Sequence, residues 1–148
     1  MKRSANAYWE GGIKEGKGRI SSESGVLKDV PYSFAKRFGE ERGTNPEELI
    51  GAAHSGCFAM AFSGELEKLK LKAESIQVKA EVTINKEGEG FSISDVHLDV
   101  KAQVPGATHD QVQQAANSAK ENCPVSKVLN ADITMDLQFQ ENTYQPTM

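Results

Sequence analysis

Polar and apolar positions divide the chain at about residue 44. Before it, short mixed runs at residues 5–9, 18–22 and 32–38 are separated by the turn-forming groups Glu10-Gly11-Gly12 and Glu23-Ser24-Gly25, which predicts short antiparallel strands. After it the period changes. Asn45 is a good helix N-cap, Pro46 suits the first helical position and Glu48 lies three residues past the cap, so a helix is predicted from residue 46 to about residue 70. Over residues 50–62 it carries no carboxylate, lysine or arginine on any face, the pattern of a helix enclosed by protein. Small residues at Gly51, Ala52, Ala53 and Gly56 would let another backbone approach closely.

Strict alternation follows at Ile76, Val78, Ala80, Val82 and Ile84, and again at Phe91 and Ile93 after the turn-rich residues 86–90, the signature of a hairpin. The apolar parity then slips to even positions at Val96, Leu98, Val100, Ala102 and Val104. One extra residue near Ser94-Asp95 must be absorbed if the same face stays buried, so a β-bulge is predicted there. Thr108 and Gln111 open a second helix whose inner face is Val112, Ala115, Ala116 and Ala119. Asn122-Cys123-Pro124 interrupts it, a short helix restarts over residues 125–130, and a last strand turns Ile133, Met135, Leu137 and Phe139 inward. The order β-β-β-α-β-β-α-α-β predicts an α+β fold: a single domain over residues 1–140 with antiparallel sheets wrapped around two main helices, and a flexible tail over residues 141–148.

Composition narrows the function classes. With 148 residues and a net charge of -4, the basic residues being spread along the chain, there is no electrostatic footprint for nucleic acid. Nor is there a Gly-rich phosphate loop or a dinucleotide fingerprint. No stretch approaches the roughly 18 apolar residues of a membrane span, and the first 14 residues lack the apolar run of an export signal. The expectation is a cytoplasmic protein without membrane partners, in a compartment where structural disulfides are uncommon.

The sequence nevertheless holds two cysteines. Cys57 sits in the apolar helix, where an isolated thiol is ordinarily a small core residue. Cys123, just before Pro124 at a helix start, would lie near unpaired N–H groups that favour a thiolate, or would simply cap the helix. They are 66 positions apart and can meet only through the fold; spacing leaves packing, capping and a redox pair all open. His54, three residues before Cys57, could serve as a general base or join Cys123 at a metal, but with no further close-spaced ligand a metal site is not expected. Tyr8, Trp9 and Tyr32 read as packing residues or as the mouth of a pocket.

The segment from Asn45 to Phe58, NPEELIGAAHSGCF, together with NCPVSKVL from Asn122 to Leu129, resembles the two signature segments of the OsmC/Ohr family of organic hydroperoxide reductases. The likeness runs from Trp9-Glu10-Gly11 to the final strand and is greater to the OsmC branch, because Arg37 stands where that branch places its catalytic arginine, whereas the Ohr branch uses a position near Lys14. The resemblance implies a cofactor-free peroxidase of oxidative or osmotic stress defence. In it Cys57 attacks an organic hydroperoxide and becomes a sulfenic acid, Cys123 captures it as a disulfide, and a dithiol reductant restores both thiols. It further implies that Arg37, held by Glu47, supplies the cation that the Cys57 thiolate needs. Phe58, Met60 and Phe62 would provide an apolar lining for an alkyl or aryl substrate. Glu47 and Cys57 lie ten residues apart on one helix, about 15 Å along its axis. An intertwined homodimer with the helices antiparallel across a two-fold axis would therefore complete each site, although Arg37 could also bridge the gap within one subunit. A disulfide-forming redox sensor or ligand-binding module without turnover is the alternative function.

Overall fold

The computed structural model describes residues 1–139; the expected tail over residues 141–148 lies outside them. The chain forms two compact units, Met1–Leu49 and Ile50–Met148. In the first, β1 (Ala5–Glu10), β2 (Lys17–Ser22) and β3 (Val30–Tyr32) make an antiparallel sheet in that order. Gly18 has no side chain to hold apart Trp9 and Tyr32, whose rings pack 5.4 Å apart; a Cβ at Gly18 would strike both. The third predicted strand is corrected beyond Tyr32. The Ser33 hydroxyl accepts the Lys36 N–H at 3.3 Å and nucleates α1 (Phe34–Phe38), a local cap that outcompetes extended pairing. Phe34 and Phe38 then stack one turn apart, with ring centroids at 5.0 Å.

The long helix α2 (Pro46–Lys68) begins as the sequence predicts, with the Glu48 N–H donating to Asn45 Oδ1 at 2.8 Å. It stops in a Schellman arrangement: Lys70 takes the left-handed conformation at φ 60°, its N–H bonds the Glu67 carbonyl, and Leu71 N–H reaches back to Leu66 O at 3.0 Å. Leu71 then packs on the core that buries Leu66. Only one stripe of α2 is buried, namely Glu47, Gly51, His54, Phe58, Phe62 and Leu66. Ala52, Ala53, Gly56 and Met60 are exposed, so enclosure on every face, as the charge-free segment suggests, is not achieved by the described residues of one chain. Gly51 serves its own fold, since a Cβ there would come 3.3 Å from the Ala80 carbonyl on the next strand.

In the second unit, β4 (Ser75–Glu87) and β5 (Gly90–Gln103) pair as an antiparallel hairpin. Thr83 faces Asp95 while Ile84 faces Ile93, leaving Ser94 as the extra residue that the parity slip requires. The apolar residues Val96, Leu98, Val100 and Ala102 consequently share one buried face. After α3 (His109–Asn122) and α4 (Pro124–Val128), the chain returns as β6 (Asp132–Phe139), parallel to β5. The sheet is therefore mixed rather than wholly antiparallel, because two helices form a crossover long enough to bring the chain back in the same direction. α3 opens on the Thr108–Gln111 capping box and buries Val112, Ala115, Ala116 and Ala119. α4 is shorter than the sequence suggests, closing at Leu129. The buried stripe of α2, the inner face of α3 and the sheet share one core. Among the described residues no helix is long and apolar enough to cross a membrane.

Phe62 is wholly buried in this core against Phe58, with ring centroids 5.7 Å apart. Phe62→Ala should lower the free energy of unfolding by about 3–5 kcal/mol in urea titration; a loss below about 1 kcal/mol would contradict the packing described.

Candidate active site

The two cysteines meet where α3 ends and α4 begins. Pro124 cannot continue α3 and biases Cys123 toward extended backbone, and Cys123 adopts φ -62°, ψ 138°. Its N–H still bonds the Ala119 carbonyl at 2.9 Å and closes α3, while its sulfur accepts the Ser126 N–H at 3.4 Å and opens α4. One residue thus caps two helices. Its thiol is fully buried, and the half-buried Cys57 on α2 packs against the same core, close enough for Cys123 to act on its ionisation. Both are free thiols.

Burial pushes the Cys57 thiol above its ordinary pKa, a backbone hydrogen bond with Val125 acts against that rise, and neighbouring Cys123 reinforces it by hydrogen bonding and charge. A nucleophilic role for Cys57 therefore needs a nearby cation to favour the thiolate. A second polar chain reaches the other sulfur. Ser126 Oγ lies 3.2 Å from Cys123 Sγ and 2.8 Å from His54 Nε2. His54 is completely buried, its Nδ1 has no hydrogen-bond partner among the described residues, and desolvation lowers its pKa, leaving the imidazole neutral.

The remaining predicted site residues, Arg37 and Glu47, pair within the first unit. Arg37 donates from Nε to both Glu47 carboxylate oxygens at 3.0 and 3.2 Å and from Nη2 to Oε1 at 2.7 Å. Glu47 is buried and the guanidinium is partly exposed, so the carboxylate fixes a cation whose outer edge still reaches solvent. Arg37 also packs 4.9 Å over the Phe38 ring. It borders an open apolar pocket of about 290 Å³ lined by Trp9, Ile13, Tyr32, Phe34 and Phe38. Lys14, by contrast, is exposed in the turn after β1.

The apolar lining expected from Phe58, Met60 and Phe62 is corrected. Phe58 and Phe62 have no exposed surface and belong to the core, while Met60 is 80% exposed on the opposite side of α2, because helical spacing separates 58 and 62 from 60. The pocket aromatics of the first unit and Ser126 are the features sequence reasoning missed. The signal for Ser126 was its position three residues after a helix cap; the aromatics carried only the general hint of a pocket mouth. As for metal, the side chains among the described residues that could converge on a cation are His97, Asp99 and Asp136, which alternate with the buried positions of their strands and so face away from the core. His97 is engaged there by Thr134 and Asp136.

Residues 39–138 match the family model described as OsmC-like protein. The chain is 46% identical over 138 residues to Peroxiredoxin OsmC of Escherichia coli, covering 93% of this chain and 96% of that protein. It is 32% identical over 139 residues to an organic hydroperoxide resistance protein of Xanthomonas axonopodis pv. citri, covering 90% and 92%. Among solved structures, the organic hydroperoxide resistance protein OhrB of Bacillus subtilis aligns with a TM-score of 0.71 at 27% identity, covering 91% of this chain and 98% of that one.

The proximity of Cys57 and Cys123 at one core predicts that mild oxidation of the folded protein closes an intrachain disulfide. Intact mass should fall by about 2 Da as both thiols are lost, with no covalent dimer on a non-reducing gel. Cross-linked chains, or two thiols surviving, would contradict that proximity.

Proposed function

Because the chain belongs to the OsmC-like protein family, we propose that it is a thiol peroxidase that reduces organic hydroperoxides to alcohols in oxidative and osmotic stress defence. The observation that carries this reading is the convergence of two free thiols on one core, one half-buried on a long helix and the other buried as a helix cap. The relatives named peroxiredoxin and organic hydroperoxide resistance protein support the substrate class. Cys57 attacks the peroxide oxygen, the O–O bond breaks, the alcohol leaves and Cys57 becomes a sulfenic acid. Cys123 displaces the hydroxyl to form the disulfide, which a dithiol reductant reopens. We assign Arg37 the task of stabilising the Cys57 thiolate, since a guanidinium is charged at any physiological pH and Glu47 holds it in one orientation. The aromatic pocket beside Arg37 suits the organic group of the substrate, whose apolar contacts contribute to transition-state binding. The scheme uses no metal, flavin or haem and fits a reducing, cytoplasmic setting. The two units are read as parts of one OsmC-like domain over residues 1–140.

Steady-state peroxide consumption with a small dithiol tests this reading. Wild type should turn over many times, with a higher kcat/KM for cumene hydroperoxide than for hydrogen peroxide; a sensor would stop after one equivalent. Cys57→Ser should be inactive, and Cys123→Ser should react once and accumulate sulfenic acid. Arg37→Met should lose on the order of 10²-fold or more in rate while Lys14→Ala changes little. Turnover surviving in Cys57→Ser would falsify the assignment.

We further infer a homodimer. The exposed, charge-free face of α2 at Ala52, Ala53, Gly56 and Met60 is smooth enough for a second copy of the helix. Glu47 and Cys57 remain about 15 Å apart along that helix, so an antiparallel pair would bring the Arg37–Glu47 pair of one chain to the thiol of the other. Mixing inactive Glu47→Gln and Cys57→Ser proteins under subunit exchange should then restore one site in each mixed dimer. Inactivity in confirmed heterodimers would sink shared sites and leave Arg37 acting within its own subunit.

A further inference from the structure

Within the core of the second unit, one chain of polar atoms runs from His54 Nε2 through Ser126 Oγ to Cys123 Sγ, with links of 2.8 and 3.2 Å. Nothing in the packing requires an imidazole. His54 is fully buried, between Gly51 and Phe58 on the buried stripe of α2, and an apolar residue there would avoid the cost of an unpartnered ring nitrogen. Yet Nδ1 is left without a partner among the described residues. A buried polar group retained at such a cost asks for a use. The other end of the chain is the sulfur that must lose a proton when the disulfide forms. Each link carries a single hydrogen, and a hydroxyl between a thiol and an imidazole can pass a proton in either direction.

Resting on the peroxidase reading, we propose that Ser126 and His54 form a proton relay for Cys123 in the resolving step. Ser126 touches the reacting sulfur, and His54 is a positioning residue that acts through it. As Cys123 Sγ bonds to Cys57 Sγ, its thiol proton passes to Ser126 Oγ and the Ser126 hydroxyl proton to His54 Nε2. The electron pair of Cys123 sulfur forms the S–S bond while the S–O bond of the Cys57 sulfenic acid breaks, its pair leaving with the oxygen. Cys123 sulfur is oxidised, Cys57 sulfur is reduced, and the departing hydroxide leaves as water with a proton from solvent, while the relay's proton rests on His54. No further oxidant is needed, because the peroxide has already supplied it. In reverse, the relay protonates Cys123 when the reductant opens the disulfide. This role differs from activation of Cys57, from which the relay is separated by Cys123.

Single-turnover kinetics with one equivalent of cumene hydroperoxide, followed by intact mass, separates the two steps: a gain of about 16 Da marks sulfenic acid and a loss of about 2 Da marks disulfide. His54→Gln keeps an amide N–H able to bond Ser126 but cannot take up a proton. It should form sulfenic acid within about two-fold of the wild-type rate and resolve at least roughly ten-fold more slowly. Ser126→Ala should show the same split, with Ser126→Thr recovering most of the lost rate by restoring the hydroxyl. A resolving rate in His54→Gln equal to wild type would show that hydrogen bonding alone suffices and would overturn the relay. If His54→Gln does not fold, equal resolution by Ser126→Ala and wild type overturns it instead. Absence of sulfenic acid and disulfide in the wild type is a distinct result that removes the peroxidase reading and the relay with it.

Discussion

The packing of one stripe of α2 against the β4–β5–β6 sheet is the constraint on which the rest depends. Phe58, Phe62 and Leu66 are buried completely with Val96, Leu98 and Val112, and burial of such side chains contributes about 1.5–3 kcal/mol each. With that rotation set, every other residue of the helix has its environment assigned. His54 falls inside, Met60 outside and Cys57 at the edge, within reach of Cys123. The bulge at Ser94 serves the same end, because without it β5 would turn its apolar residues away from the helix.

The proposed peroxidase would divide two electrostatic tasks. Burial and a neighbouring thiol work against ionisation of Cys57, which suits a residue that must not react indiscriminately but not one that must react at all. In the proposal, the opposite requirement falls to the Arg37–Glu47 pair, a cation held by a bidentate carboxylate beside an apolar pocket. In the proposed peroxidase, reactivity toward peroxide would then depend on a cation beside the thiol, which the proposed homodimer through the bare face of α2 would supply. The buried His54–Ser126 chain, which ends on Cys123, would add a third element directed at the proposed resolving sulfur.

Much of this was legible in the sequence because its signals are local. Asn45-Pro46 marks the start of α2, the parity slip at Ser94 marks the bulge, Thr108 and Gln111 mark α3, and Cys123-Pro124 marks the break that places a thiol at a helix cap. Each follows from backbone sterics, hydrogen-bond geometry or a period of two, which a few neighbouring residues determine. The cysteines could be named as candidates, and the resemblance of their segments to known signatures gave them roles. The exception among local readings was residues 33–38, where the Ser33 cap competed with strand pairing and won.

What only tertiary structure decided is where side chains from distant segments face. The sequence shows α2 without charge over residues 50–62 but not which stripe the sheet would cover; that choice moved Phe58 and Phe62 from a supposed substrate lining into the core. The parallel entry of β6, the pairing of Arg37 with Glu47, and the meeting of His54 with Ser126 across 72 positions are likewise nonlocal. The sequence alone determined the elements and the reactive residue types, because propensity, capping and periodicity act over a few residues. The structure decided which of those residues touch, because contact between distant segments is set by how whole faces share one core.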